Sequence, residues 1–470
     1  MRPLFDGFVF KEHQEVGVNW MIQREECDYP GGLLCDEMGL GKTYQMLGTM
    51  KNSNVDETLL LCPKAVIRQW CVAAEKCGFN VFEVDGGVWT QVTPKNSDGP
   101  ILRITNYDKV PGNKSLFKGM RGRLVLDEAH RIRNPSSECY KAVSAIKRKI
   151  TWIITATPLV NTIKDIRALL SLVGYDYVKL SNIEYRHSVM NAACIHRSME
   201  EMRHVLPDLP DAATITEEKL DFDSEEEAEF YRGVQGSIVK KFKMLEKDQT
   251  NEMFVLIMKL RQLSLHPQVY INARKREWAG YIRDDFDAPS TKFTALRNKI
   301  EAEDKPAKWI VFCQFHDEMD MLMAYLNQSN SIGVIQMYHG GMTDKEKEDV
   351  LDKTLEPNEY GCHEILLLQL QSGGVGLNLQ HFSKIVFMSP WWTSALMDQA
   401  IGRAVRIGQK EKVEVIMLIL KEEETLNIDS MMLEKADDKR GQLQMLFSHA
   451  SKGLDQPDEV EAEEAEDNHG

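Results

Sequence analysis

Two groups of residues in this chain have the types and spacing for phosphate chemistry, and a third segment carries a pair of arginines that, taken alone, fits a solvated surface helix. In LLCDEMGLGKTYQML, a short apolar run at 33–35 leads into Gly39 and Gly41, and Lys42 and Thr43 then open a helix. Glycines let backbone N–H groups curl around phosphate oxygens, and a helix N-terminus adds positive potential. Lys42 would reach the β- and γ-phosphates of a nucleotide, and the Thr43 hydroxyl would ligate Mg²⁺. The general pattern GxxxxGK[ST] has Asp36 in place of its first glycine. In LVLDEAH (124–130), a second apolar strand ends in Asp127 and Glu128. A strand-end Asp holds Mg²⁺, usually through water, and a neighbouring Glu orients and deprotonates an attacking water. Neither motif alone excludes a glycine turn or an acidic surface; together they point to nucleotide hydrolysis. In QAIGRAVRIGQ (399–409), Arg403 and Arg406 are three apart, hence on one face if the segment is helical.

Two α/β units must position these groups. Strands are expected at 33–35, 58–62, 101–105, 123–127 and 151–155, each followed by room for a helix, the rhythm of a parallel sheet. The rhythm returns at 309–313, 333–338, 364–370, 384–388 and 413–420. Residues 180–285 lose it and become charged and helix-prone, with a Met and Leu stripe suited to core or interdomain packing. The expected division is 1–178, a nucleotide-binding lobe; 179–288, a helical insertion and linker; 289–440, a second lobe; and 441–470, a segment ending in a disordered acidic tail.

The 470 residues carry a net charge of −15, unevenly spread. Residues 1–175 have 23 Lys+Arg against 19 Asp+Glu, a net of +4, so the remainder holds −19. Eight acids and no base follow Lys452. A polyanionic partner therefore needs local basic grooves, and the best candidate is Lys109 to Lys149, with eleven bases against three acids. No apolar run approaches the ~18 residues of a membrane span, and no secretory leader is evident. The nine cysteines form no CxxC pair, which argues against a zinc site or a disulfide framework and for a reducing, intracellular setting.

The motifs, in order, resemble the Swi/Snf family of superfamily-two DNA-translocating ATPases, over about Phe10 to Leu443. The blocks are FKEHQEVGVNWM, DEMGLGKT, LLLCPKAVIRQW, ITNYDKV, DEAHRIRNPSS, TATPLVN, LRQLSLHP, YHGGMT, SGGVGLNLQ and QAIGRAVRIGQ. DEMGLGKT is close to the family's own form, which accounts for Asp36.

The resemblance implies two RecA-like parallel-sheet lobes, ATP and Mg²⁺ as cofactors, and double-stranded DNA as partner. Nucleosomes, a polymerase or other DNA-bound proteins would be what is remodelled or displaced. It implies adenine recognition by Gln14, and an ATP cradle of Asp36, Glu37, Met38, Gly39, Leu40, Gly41, Lys42 and Thr43. Lys42, Asp127, Glu128, Gln399, Arg403 and Arg406 would be catalytic, the arginines acting on the γ-phosphate. Thr155 and Thr157 would couple hydrolysis to closure. Lys64, Thr105, Asn106, Gly340, Ser372, Gly373 and Trp392 would contact DNA, though a buried core residue is a second reading for Trp391 or Trp392. The setting is nuclear, or cytoplasmic if the chain is virus-encoded or prokaryotic. The alternatives are an RNA- or single-strand-directed helicase of the same superfamily and a nucleotide-regulated DNA-binding scaffold.

Overall fold

The computed structural model describes residues 1–447 except 157–162, 207–208, 246–248, 357–360, 374–376, 407 and 422–426. The acidic tail and Thr157 therefore lie outside the described residues. Contacts divide the chain into two compact units: residues 1–62 and 71–198 in the first, and 63–70 with 199–440 in the second.

The first unit contains eight strands: β1 (Gly31–Leu34), β2 (Glu57–Cys62), β3 (Asn80–Asp85), β4 (Val88–Gln91), β5 (Ile101–Asn106), β6 (Arg123–Asp127), β7 (Ile150–Ile154) and β8 (Cys194–Ile195). They form one sheet in the order β4-β3-β5-β2-β6-β7-β1-β8, parallel throughout except for the β3–β4 hairpin. The apolar runs are continuous because helices cover both faces, so alternate residues in either direction are buried. Leu33, Leu61, Leu126 and Ile153 pack with Ile166, Leu169 and Leu170 of the helix Ile163–Val173.

The second unit has β9 (Thr214–Leu220), β10 (Lys308–Cys313), β11 (Ile332–Tyr338), β12 (His363–Gln369), β13 (Lys384–Phe387) and β14 (Glu414–Leu420). Their order is β11-β12-β10-β13-β14-β9, with every pairing parallel. Ile310, Phe312, Leu366, Leu368, Ile385 and Phe387 serve one core. Trp309, Val311, Ile365, Leu367 and Val386 serve the opposite one, as a period of two requires. The helices Glu225–Met244, Thr250–Leu265 and Pro267–Glu277 enclose a third core of Phe230, Tyr231, Leu256, Leu260, Leu263 and Ile271. The apolar stripe read from the sequence contributes to it.

The two-lobed α/β architecture is as expected, with one correction. Residues 180–285 are not free of strands: β8 and β9 lie within them. β9, TITEEKL, is an edge strand exposed along most of its length, so it carries no apolar run. Seven consecutive partners on β14 hold it by main-chain pairing instead.

Candidate active site

Strand register brings the two phosphate motifs together. β7 lies between β1 and β6, and its Ile154 pairs with Leu34 on one side and Asp127 on the other. The chain thus leaves β1 and β6 at the same height on the carboxyl edge of the sheet. The backbone extends this alignment. Thr155 N–H donates to Leu34 O at 3.2 Å, and Glu128 N–H donates to Ile154 O at 2.9 Å. Thr155 is fully buried at this junction.

The loop after β1 turns through Gly39 (φ 88°) and Gly41 (φ 78°), left-handed conformations that favour glycine. Gly41 caps the helix Lys42–Asn52, and a Cβ there would come within 2.4 Å of the Gln14 amide nitrogen. Lys42 Nζ donates to the loop carbonyls of Asp36 (2.6 Å) and Glu37 (3.2 Å). Burial pushes the Lys42 pKa down, and the carboxylates of Glu128, Asp36 and Asp127 oppose that shift. An ammonium partly stripped of water, in the field of these carboxylates, is suited to anionic oxygens.

Asp36 does something the motif did not suggest. Its carboxylate is fully buried. It accepts from Arg197 Nε at 2.9 Å, from Arg197 Nη2, and from Gln45 Nε2 at 2.9 Å. Arg197 also donates to His13 O and to Gln45 Oε1 (2.8 Å). The side chain at the departure from GxxxxGK therefore ties the loop to Arg197 and to Gln45 of the following helix. Arg197, Gln45 and His13 were missed in the sequence; the signal was Asp36 itself, since a carboxylate on a glycine position needs a cation.

Gln14, on the helix Glu12–Arg24, is buried against the same loop. Its amide donates to Leu40 O at 3.4 Å, and its carbonyl accepts the Lys11 N–H at 3.1 Å. The adjacent His13 Nε2 is 2.9 Å from Leu40 O, and burial lowers its pKa.

Among the described non-glycine residues, Glu128 alone has a positive φ, 50°. Such a conformation costs about 1–2 kcal/mol and persists only where the surroundings over-determine it. Its N–H meets Asp127 Oδ1 at 3.0 Å as well as Ile154 O. The Tyr107 hydroxyl donates to Asp127 O at 2.7 Å, with its own pKa raised by burial. His130 Nδ1 lies 3.3 Å from Glu128 Oε2, a contact the sequence reading did not assign.

The proposed DNA contacts are distributed over both units. Thr105 and Asn106 end β5 and are buried, and Asn106 Oδ1 accepts the Lys109 N–H at 3.1 Å. Lys64 is exposed, in the short 3-10 helix Lys64–Val66. In the second unit, Gln369 Oε1 accepts from Gly340 N–H (3.0 Å) and Ser372 Oγ (2.9 Å), so one unforeseen side chain joins two of the candidates. Gly373 closes the short helix Leu370–Gly373. Trp392 follows β13, half-buried beside the buried Trp391.

Gln399 is buried on the helix Ser394–Ile401. That helix stops at Ile401, with Gly402 as its cap. Arg403 and Arg406 therefore occupy the following turns, so the condition for their sharing a helix face is not met. Arg403 is buried, its carbonyl accepting the Leu379 N–H at 3.2 Å; Arg406 Nε donates to Gly402 O at 3.1 Å.

LRQLSLHP is an internal brace of the second unit. Ser264 Oγ donates to Asp429 (2.9 Å), which also receives Lys292 Nζ at 2.6 Å; all three are buried. His266 Nδ1 caps the following helix by accepting the Gln268 N–H at 3.0 Å.

Among the described residues no helix is long and apolar enough to cross a membrane, and all nine cysteines are free.

Residues 13–269 match the model of the SNF2-related domain, and residues 291–408 match the helicase conserved C-terminal domain. The chain is 27% identical to a probable global transactivator of Orgyia pseudotsugata multicapsid polyhedrosis virus, over 93% of this chain and 91% of that one. It is 22% identical to the DNA repair protein RAD5 of Candida albicans, over 87% of this chain and 55% of that one. It is 26% identical to the human SWI/SNF-related matrix-associated actin-dependent regulator of chromatin subfamily A member 1, over 92% of this chain and 43% of that one. The chain thus spans nearly all of the viral relative but about half or less of the two cellular ones. A solved Sulfolobus solfataricus SWI2/SNF2 ATPase core in complex with dsDNA aligns over 95% of this chain and 98% of that one, with 21% identity and a TM-score of 0.41. The matched residues include the phosphate loop, the carboxylate pair and LRQLSLHP, and the chain belongs to the SNF2-related family of helicase-like ATPases.

Proposed function

We propose that this ATPase is a translocase on double-stranded DNA that uses hydrolysis to remodel or displace bound proteins. The observation that carries the reading is the register Leu34–Ile154–Asp127, which sets Lys42 and the Asp127–Glu128 pair on one edge of one sheet. In this reading residues 1–178 are the nucleotide-binding lobe, 179–288 the helical insertion and 289–440 the second lobe.

Lys42 neutralises charge on the transferred phosphoryl group, and the loop N–H groups hold the phosphates. Glu128, fixed by its left-handed backbone and two hydrogen bonds, orients the attacking water and takes its proton at the carboxylate. Thr43 and Asp127 fit Mg²⁺: a hydroxyl and one carboxylate are the sparse oxygen set the ion takes when phosphates complete its shell. Bound there, Mg²⁺ supplies further charge neutralisation on the phosphate oxygens. Gln14 recognises adenine beside Gly41. Gln399, Arg403 and Arg406 contribute positive charge and polarity needed only in the transition state. Thr155 and Thr157 couple cleavage to movement. Lys64, Thr105, Asn106, Gly340, Ser372, Gly373 and Trp392 contact the duplex, mostly at its phosphates, where contacts position without specifying sequence.

The test is ATP turnover alone and with naked double-stranded DNA, single-stranded DNA, RNA or nucleosomes. Stimulation by duplex DNA of about tenfold or more, above that by RNA or single strands, is expected. Preferential stimulation by RNA or single strands would replace duplex DNA as the track. Turnover insensitive to every nucleic acid would leave a nucleotide-regulated scaffold.

A further inference from the structure

Arg261, in LRQLSLHP, is buried yet makes no carboxylate ion pair among the described residues. Its guanidinium carbon instead lies 4.1 Å from the Trp391 ring centroid and 5.0 Å from that of Trp392. The two rings are 5.0 Å apart and inclined at 49°, so one cation covers both. Arg261 Nη2 donates to Gln314 Oε1. The Gln314 amide in turn approaches the carbonyls of Ser389 and Pro390 at 3.5 and 3.4 Å. These two residues immediately precede the tryptophans.

Three segments thus meet on one side chain: the helix Thr250–Leu265, the end of β10 and the turn after β13. Phe254, from the same helix, lies against Trp392 at 5.3 Å and is itself exposed. Trp392 is therefore held by Arg261, Trp391 and Phe254, and it remains partly exposed. Burial lowers the Arg261 pKa to about 10, with Glu318 and Asp429 opposing the shift, so the group remains a cation at neutral pH.

We propose that Arg261 is a positioning residue for DNA engagement: its guanidinium, seated against both Trp391 and Trp392, fixes the exposed part of Trp392 that meets the duplex. The proposal rests on the DNA-translocase reading above. A flexible ammonium cannot replace the group, because the contact needs a cation broad enough to reach two rings and a fork that also reaches Gln314. Met at this position fills the volume without burying an unpaired charge.

The experiment measures ATP turnover against duplex concentration for wild type, Arg261→Met, Arg261→Lys, Trp392→Ala and the double variant Arg261→Met/Trp392→Ala. Near-ultraviolet circular dichroism of each reports the coupled tryptophan pair. The half-saturating duplex concentration is expected to rise about tenfold in Arg261→Met, with turnover at saturating duplex within about threefold of wild type. Lysine should not rescue it, and the double variant should be no worse than Trp392→Ala alone. The dichroism of the pair should be lost in both Arg261 variants. Effects that multiply in the double variant, an unchanged half-saturating concentration in Arg261→Met, or a retained dichroic band would each overturn the proposal. So would a parallel loss of nucleotide affinity measured without DNA, which would mean general damage. A wild type that duplex DNA does not stimulate would defeat the functional reading beneath it, and that failure is visible before any variant is made.

Discussion

Asp36 is gripped by Arg197 from 161 residues further along the chain, Nε to Oδ1 at 2.9 Å, with both side chains buried. The phosphate loop is consequently anchored to the segment after β8 through a charge pair as well as through glycine geometry. Replacing Asp36 by glycine would restore the general loop pattern and leave a buried guanidinium without its counter-charge. Asp36→Gly should cost the first unit about 3–5 kcal/mol and weaken nucleotide binding. Denaturation midpoints and nucleotide titration check this; a variant as stable as wild type would remove the brace from the account.

Lys42→Ala and Glu128→Gln should both abolish hydrolysis by different routes. The first removes a charge that meets phosphate in the bound state, so nucleotide affinity falls. The second leaves ATP bound and uncleaved. Equilibrium nucleotide binding and single-turnover hydrolysis separate them, and near wild-type turnover in both variants would reject the assignment.

Arg403→Ala should reduce DNA-stimulated turnover by roughly three orders of magnitude while ATP affinity changes much less. A proportional loss of both would make Arg403 a ground-state contact or a structural residue of its turn.

Affinity for duplex DNA should fall steeply with salt, by about 10³-fold or more between 50 and 200 mM if six or more phosphates are contacted, and depend little on sequence. A flat salt response with strong sequence preference would contradict phosphate tracking.

Glu318 provides a pH test confined to the second unit. It is fully buried, and burial raises its pKa to about 7; the Gln314 and Phe315 N–H groups, Lys292 and Arg261 only partly offset the shift. A carboxyl with a raised folded-state pKa contributes stability that is complete below its unfolded value and is lost as pH rises through about 7. Between pH 5 and 8 that loss is roughly 2.5 kcal/mol. Glu318→Gln should flatten the decline, and the difference between the two denaturation profiles isolates this group from the histidines. Parallel profiles would show that Glu318 titrates normally.

Strands buried on both faces were legible because their apolar runs are uninterrupted; β2, β6, β7, β10 and β12 all fell where the runs were. β9 was not, because an exposed edge is held by main-chain pairing that leaves no apolar signature. The β3–β4 hairpin had a signal that went unused: Asp85-Gly86-Gly87 between two alternating runs, with both glycines at positive φ. Lys42, Asp127 and Glu128 could be named from spacing, since each motif is local. The partners that shape them could not. Arg197 and Gln369 act across long separations, where no periodicity links the residues. For the arginine pair the i, i+3 spacing implies a shared face only if the segment is helical, and spacing alone cannot reveal that the helix ends at Ile401.

The origin of β9 governs how this chain can be divided for expression. The strand lies at 214–220, inside the SNF2-related match that ends at 269, yet it is a member of the second sheet. A fragment cut between the two family matches, beginning near residue 291, would lack it. β14, whose sequence is EVIMLIL, would then become an open edge with seven unpaired backbone positions and a strongly apolar face. Such an edge is a template for intermolecular pairing. The same cut would remove the helices that cover Leu420, Ile428 and Met432. A soluble second half should therefore begin upstream of Thr214, and inclusion bodies from the shorter fragment would reflect a missing strand, whatever the intrinsic stability of the rest.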